Sequence, residues 1–215
     1  MSSAQPTVLI TGFGPFPGVP ANATTELVPV LTEEARKRWS SHRFEAAVLA
    51  TEWRAAPQSL AALMAELKPS ATLHFGVSSK ASGFTIEMRG HNLARPLPDA
   101  AGQLPEGKEL VPEGPDVLPA NIPVSLIVAR LRQQALPVSL SRDAGGYLCN
   151  AVLYNALDAG RRLDQPVRSG FVHLPANLTR RALPGFGHPS ELTWSQAIEG
   201  SLEVISILIG RPLRR

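Results

Sequence analysis

The chain has 215 residues with a formal net charge of +3, and 44% of its residues are hydrophobic. That is enough for one large α/β domain spanning 1–215 with a substantial core. No run approaches the ~18 apolar residues of a membrane span, and the polar start from Met1 to Thr7 lacks a signal peptide's charged and apolar regions, so a cytoplasmic protein with no membrane contact is expected. Basic residues are scattered among nearly as many acids, apart from Arg211, Arg214 and Arg215 at the end, and aromatics do not interleave with them. This argues against a nucleic-acid partner. A single cysteine excludes an internal disulfide and any multi-cysteine metal site.

In chain order, Thr7-Val-Leu-Ile-Thr11 is a compact apolar run of the kind buried in a parallel sheet, and residues 44–51, 71–76, 138–141 and 169–173 read the same way. Residues 24–38 form a helix whose first turns Pro29 weakens. A second helix starts at Pro57, buries Leu60, Leu63, Met64 and Leu67, and stops before Pro69. The spacing predicts further helices over 125–134 and from about Leu148, the latter with Cys149, Val152, Leu153, Ala156 and Leu157 on one face. The last helix opens on a capping box, Thr193-x-x-Gln196, with Trp194, Ile198, Leu202, Ile205 and Ile209 in a stripe. Residues 90–121 are rich in Pro and Gly and show little periodicity, as expected of a functional or mobile loop. Strands alternating with helices imply a three-layer α/β/α sandwich around a mostly parallel sheet, with the chemistry at the strands' carboxyl ends.

Four segments then lie at those ends: 12–22, 76–87, 143–149 and 173–177. In Asp143-Ala-Gly-Gly-Tyr-Leu-Cys149-Asn150, two glycines permit a turn and the thiol falls in the first turn of a helix. Unpaired N–H groups and the positive dipole end there favour thiolate over thiol, and the same N–H groups can bind an oxyanion. Local context alone leaves Cys149 equally open to an inert packing role. His173 ends an apolar run and supplies a base that titrates near neutrality, although a strand-end histidine bonded to a carbonyl is the commoner case. Glu87 would complete a Cys–His–carboxylate set, whereas one glutamate alone is usually a solvated surface group. Two other patterns fail. Gly12-Phe-Gly14-Pro-Phe-Pro-Gly18 spaces its third glycine wrongly for a dinucleotide site, and Pro15 and Pro17 block the helix start. His42, His74, His91 and His188 lack metal-ligand spacing, so no metal is expected.

These residues together resemble the pyroglutamyl peptidases, cysteine peptidases that remove an N-terminal 5-oxoproline. The similarity runs through nearly the whole chain. Thr11-Gly-Phe-Gly-Pro-Phe16 with Asn22 resembles the family's opening segment, and Ala144-Gly-x-Tyr-Leu-Cys149-Asn150 resembles its nucleophile motif. Gly170-Phe-Val-His173-Leu-Pro175 and Leu97-Pro-Asp-x-x-Gly-x-x-Pro105 resemble two further family runs. Glu87, eleven positions after Gly76, matches the catalytic glutamate, and Asn92 an Asn beyond it. The resemblance implies a Cys149–His173–Glu87 triad, no cofactor, a cytosolic location, pyroglutamylated peptides as substrates and a homotetramer or dimer. It implies that Phe13, Phe16 and Tyr147 wall the lactam ring with Asn22 nearby. Backbone groups at Gly76 and Val77 can meet the lactam's polar atoms, and aromatic walls suit a small flat neutral ring. The chain departs from the pattern at Ser79-Lys80-Ala81, where the family has Gly-Gly-Arg. It departs again at Met88, where an Arg follows the glutamate in the family, and Arg89 comes one place later. The departures bear on specificity and rate, and they leave two other functions to be weighed: a thiol hydrolase of another lactam or amide, and a non-catalytic binding protein on the same fold.

Overall fold

The computed structural model describes residues 5–163, 166–179 and 190–210; His188 and the basic tail of Arg211, Arg214 and Arg215 lie outside them. The elements in order are β1 (Thr7–Phe13), α1 (Ala23–Arg38), β2 (Arg43–Leu49), α2 (Ala55–Leu67), β3 (Ala71–Ser78), β4 (Phe84–Glu87) and β5 (Arg89–His91). They continue with β6 (Val117–Pro119), α3 (Val124–Gln133), β7 (Val138–Ser141), α4 (Leu148–Arg161), β8 (Arg168–Pro175) and α5 (Trp194–Leu208). Six strands form one sheet in the order β2-β1-β3-β8-β4-β7. The β1–β2, β1–β3, β3–β8 and β4–β7 pairs are parallel, and β4 runs antiparallel to β8. The expected α/β/α sandwich is therefore present, around a mixed sheet.

Alternation along the strands sorts the core into two layers. Val8, Ile10, Leu73, Phe75, Val172 and Leu174 pack with apolar residues of α1, α3 and α5. Leu9, Phe13 and Phe171 pack with those of α2 and α4 on the other face. His74, Gly76 and His173 alternate onto that second face, which is also the face that carries Cys149.

Local chemistry explains the helix ends. Pro29 lies inside α1 without breaking it, and Asn22 caps the first turn: its Oδ1 accepts from Thr24 N–H at 3.1 Å. Thr24 and Thr25 hydroxyls then donate to the Phe13 carbonyl at 3.2 and 2.9 Å, tying the helix to the end of β1. The second helix begins two residues before the expected Pro57, which falls instead in the first turn, where a missing N–H costs nothing. The capping box of α5 forms as expected.

Residues 90–121 are built rather than slack. They contain β5 and β6, paired antiparallel. Asn92 Oδ1 accepts from Leu110 and Val111 N–H at 2.8 and 2.9 Å. The buried Asp99 carboxylate accepts from the N–H groups of Trp53, Ala101 and Gln103 at 2.8, 2.9 and 2.8 Å. Side-chain caps thus replace the periodic apolar contacts the segment lacks. Among the described residues, no helix is long and apolar enough to cross a membrane.

Candidate active site

The turn before α4 is shaped by Gly145, at φ 84°, whose N–H donates to Asp143 Oδ1 at 2.9 Å. The turn delivers Tyr147 as the N-cap of α4 and Cys149 as its second residue. Tyr147 gives no side-chain cap, and the first intrahelical bond runs from Ala151 N–H to the Tyr147 carbonyl at 3.1 Å. The N–H groups ahead of it have no acceptor within the helix. They lie in the same turn as the thiol. Asn150, fully buried, ties this turn to β5: its Oδ1 accepts from His91 N–H at 2.8 Å, and its Nδ2 donates to the His91 and Leu93 carbonyls at 2.8 and 2.9 Å.

Cys149 fits only because residue 76 is a glycine. A Cβ there would stand 2.9 Å from Cys149 Sγ and 2.8 Å from Phe171 Cζ, inside contact distance of both. Gly76 lies opposite His173 in the β3–β8 register, so the same strand pair that admits the thiol brings the imidazole beside it.

His173 Nδ1 donates to Glu87 Oε1 at 2.8 Å, with the two residues 7% and 2% exposed. Cys149 is the other group whose charge acts on the ring. Burial alone would pull His173 down. The negative charge and hydrogen bond of Cys149, followed by the hydrogen bond and charge of Glu87, outweigh it and push the imidazole up to about 10. Glu87 Oε2 has no hydrogen-bond partner among the described residues, so the imidazolium is the group that balances the carboxylate. Glu87 arrives from the antiparallel strand: with Thr85 opposite His173, the next residue of β4 on that face is Glu87, diagonal to the imidazole.

The other expected site residues divide. Phe16 and Tyr147 face each other as partly exposed rings, with centroids 6.1 Å apart. Tyr147 also meets Trp53 edge-on at 5.3 Å and donates its hydroxyl to the Pro98 carbonyl at 3.2 Å. Burial, with the charges of Asp99 and Cys149, pushes the phenol up to about 12, which keeps it a donor. Phe13 is buried in the α2/α4 core against Phe171, at 6.4 Å. The Val77 side chain packs into the opposite layer, so its backbone is what reaches the strand end. Asn22 spends its side chain on Thr24 and on the Gly14 carbonyl, the latter at 3.2 Å, and so shapes the Phe16 loop from beneath. The altered Ser79-Lys80-Ala81 stretch forms a turn closed by Ala81 N–H to the Ser78 carbonyl at 3.2 Å. Trp53 carries no signal in the sequence, while Asp99, Asn150 and Phe171 stand in the quoted motifs without the structural roles seen here: Asn150 adjoins the cysteine and Phe171 precedes His173 at same-face spacing.

Among the described residues, no three of His, Cys, Asp and Glu come together as a metal site. A half-buried thiol in the first turn of a helix, beside a buried imidazole and carboxylate, can carry nucleophilic acyl transfer.

A family model described as pyroglutamyl peptidase matches residues 6–209. The pyrrolidone-carboxylate peptidase of Deinococcus radiodurans is 35% identical over 176 residues, covering 80% of this chain and 79% of that protein. That of Gloeobacter violaceus is 34% identical over 203 residues, covering 92% and 96%. Among solved structures, a mutant pyrrolidone carboxyl peptidase from Pyrococcus furiosus superposes with a TM-score of 0.85 at 26% identity, covering 95% of this chain and 98% of that one. Pyroglutamyl peptidase I of Bacillus amyloliquefaciens superposes with a TM-score of 0.81 at 25% identity, covering 94% and 95%.

Proposed function

The chain belongs to the pyroglutamyl peptidase family, and from that membership we propose that it hydrolyses N-terminal pyroglutamyl residues from peptides with Cys149 as nucleophile, His173 as acid and base, and Glu87 as the group that orients His173. The observation that carries this reading is the buried 2.8 Å bond between His173 Nδ1 and Glu87 Oε1, made by an imidazole whose charged form Cys149 also favours.

The Cys149 thiolate attacks the carbonyl carbon of the oxoprolyl residue, and α4 N–H groups receive the oxygen as it gains charge. The C–N bond breaks as imidazolium His173 gives its proton to the departing amine, leaving a thioester. Neutral His173 then takes a proton from water, and the hydroxide attacks the thioester carbonyl. Thiolate leaves, free 5-oxoproline departs, and the imidazolium–thiolate pair is restored. Glu87 holds one tautomer throughout and compensates the ring's charge. Phe16 and Tyr147 offer flat apolar faces to a ring that carries no charge, while the ends of β3 and β8 offer backbone polar groups to the lactam.

The same reading carries a cytoplasmic homo-oligomer, dimer or tetramer, that needs no cofactor; light scattering on the purified chain tests the assembly. The decisive assay compares oxoprolyl, prolyl and glutaminyl fluorogenic amides, with Cys149→Ala as control. Preference for oxoproline that disappears in Cys149→Ala and weakens in Phe16→Ala supports the assignment. Equal cleavage of prolyl or glutaminyl amides contradicts it and favours another amide substrate.

A further inference from the structure

Phe171 sits two residues before His173 on β8, on the same face of the sheet. The two ring centroids are 4.8 Å apart at an interplanar angle of 51°, inside the ~6 Å over which an aromatic ring attracts a cation. The far end of the Phe171 ring also shares with Cys149 Sγ the small space above Gly76. The ring is fully buried and held by Phe13 and His74, each 6.4 Å away between centroids. It therefore touches the surroundings of both reacting groups and cannot swing away without opening the core. We propose that Phe171 is a positioning residue of the triad: its ring stabilises the charged form of His173 and fixes the position of the Cys149 thiol beside Gly76.

The groups around the imidazole show why an aromatic ring matters there. Cys149 faces it from α4 and Glu87 from β4. His74, opposite Phe171 on β3, is pulled down to about 3 by burial and stays neutral. Tyr147, at the start of α4, is pushed up to about 12 and adds no charge near neutrality. During acylation the thiolate and Glu87 both favour an imidazolium. Once the thiol is acylated, its charge is gone. As water gives up its proton in the second half of the reaction, the imidazolium forms with Glu87 and the Phe171 ring as its favourable neighbours. The ring thus acts most where the thiolate cannot. Gly170-Phe-Val-His173 spells this arrangement out in sequence, because alternate residues of a strand are neighbours on one face.

This inference rests on the triad reading above, yet it can be tested without any substrate. Phenylalanine analogues carrying one, two or three ring fluorines are placed at position 171 in the full chain. These keep the ring's shape and progressively remove its attraction for cations. The His173 ring signal, identified by its loss in His173→Gln, is followed by NMR as pH is raised. The expected result is a titration midpoint that falls stepwise with fluorination, by about one pH unit in total, while the melting temperature changes little. A midpoint that stays put across the series overturns the proposal, and so does a melting temperature that falls while the midpoint holds, since both mean that Phe171 only fills space. If the stepwise shift appears in a protein that fails to cleave oxoprolyl amides, the substrate assignment falls and the role of Phe171 stands.

Discussion

Adding one methyl group at Gly76 tests the packing of the site more sharply than deleting a catalytic group. The Ala Cβ would lie 2.9 Å from Cys149 Sγ and 2.8 Å from Phe171 Cζ. Ordinary contact requires about 3.5–4.0 Å, so the sulfur and the ring must together yield by roughly 0.6 to 1.2 Å. Phe171 is fully buried and Cys149 is fixed on the first turn of α4, so neither retreats freely. A displacement of ~1 Å at a reacting atom costs about 100-fold in rate, and overpacking a closed core costs about 1–3 kcal/mol. Gly76→Ala should therefore fold with reduced stability and hydrolyse an oxoprolyl amide about 100-fold more slowly. The loss should fall on kcat rather than KM, since Phe16 and Tyr147 stand outside the clash. Steady-state kinetics beside a urea titration measure both quantities. A variant within a few-fold of wild-type kcat would refute the claim that Gly76 sets the position of the nucleophile.

Glu87→Gln should lower kcat by about 100-fold, and by less than His173→Ala, because orienting a base contributes less than supplying one; kinetics indistinguishable from wild type would move the orienting role elsewhere. His173 is held up at about 10 by the negative charges beside it, so its proton is present through neutrality and leaves only as the pH rises toward that value. The kcat/KM profile should hold on the alkaline side well past the ~6.5 of an ordinary imidazole, and a fall beginning near 7 would contradict the ion pair. His74 is buried and pulled down to about 3, whereas an unfolded imidazole accepts a proton below about 6.5. The unfolded state thus binds more protons between those values, and stability should fall on acidification with a limiting slope of about 1.4 kcal/mol per pH unit from this residue. Urea titrations of wild type and His74→Phe should diverge by about 2 kcal/mol between pH 7 and 5, approaching that slope at the acid end; parallel curves would show that His74 is not held neutral.

Much of the frame could be read directly. The predicted bounds of β7 match the observed strand, and α5 opens on its capping box, because both depend on local pattern. The reading of strand ends as the seat of chemistry puts Glu87 in the segment that follows β3, whereas the structure sets it on a strand of its own, β4, which presents the acid through antiparallel register with β8. A four-residue strand, Phe84–Glu87, carries too little periodicity to announce itself, and its direction is a non-local outcome. Residues 90–121 looked structureless for a related reason. Asn92 and Asp99 order that stretch by bonding backbone groups, which leaves no hydrophobic stripe to detect. The close approach of Sγ to Gly76 is likewise invisible until the strands are paired.

The triad claim is tested most directly by trapping the intermediate. An oxoprolyl amide is mixed with enzyme, the reaction is quenched in acid within the first turnovers, and the digested protein is analysed by mass spectrometry. An oxoprolyl group should be found on the peptide containing Cys149, should be absent from Cys149→Ala, and should disappear once substrate is exhausted. Turnover that continues in Cys149→Ala, or turnover by wild type with the adduct on any other residue, would contradict the assignment of Cys149 as nucleophile.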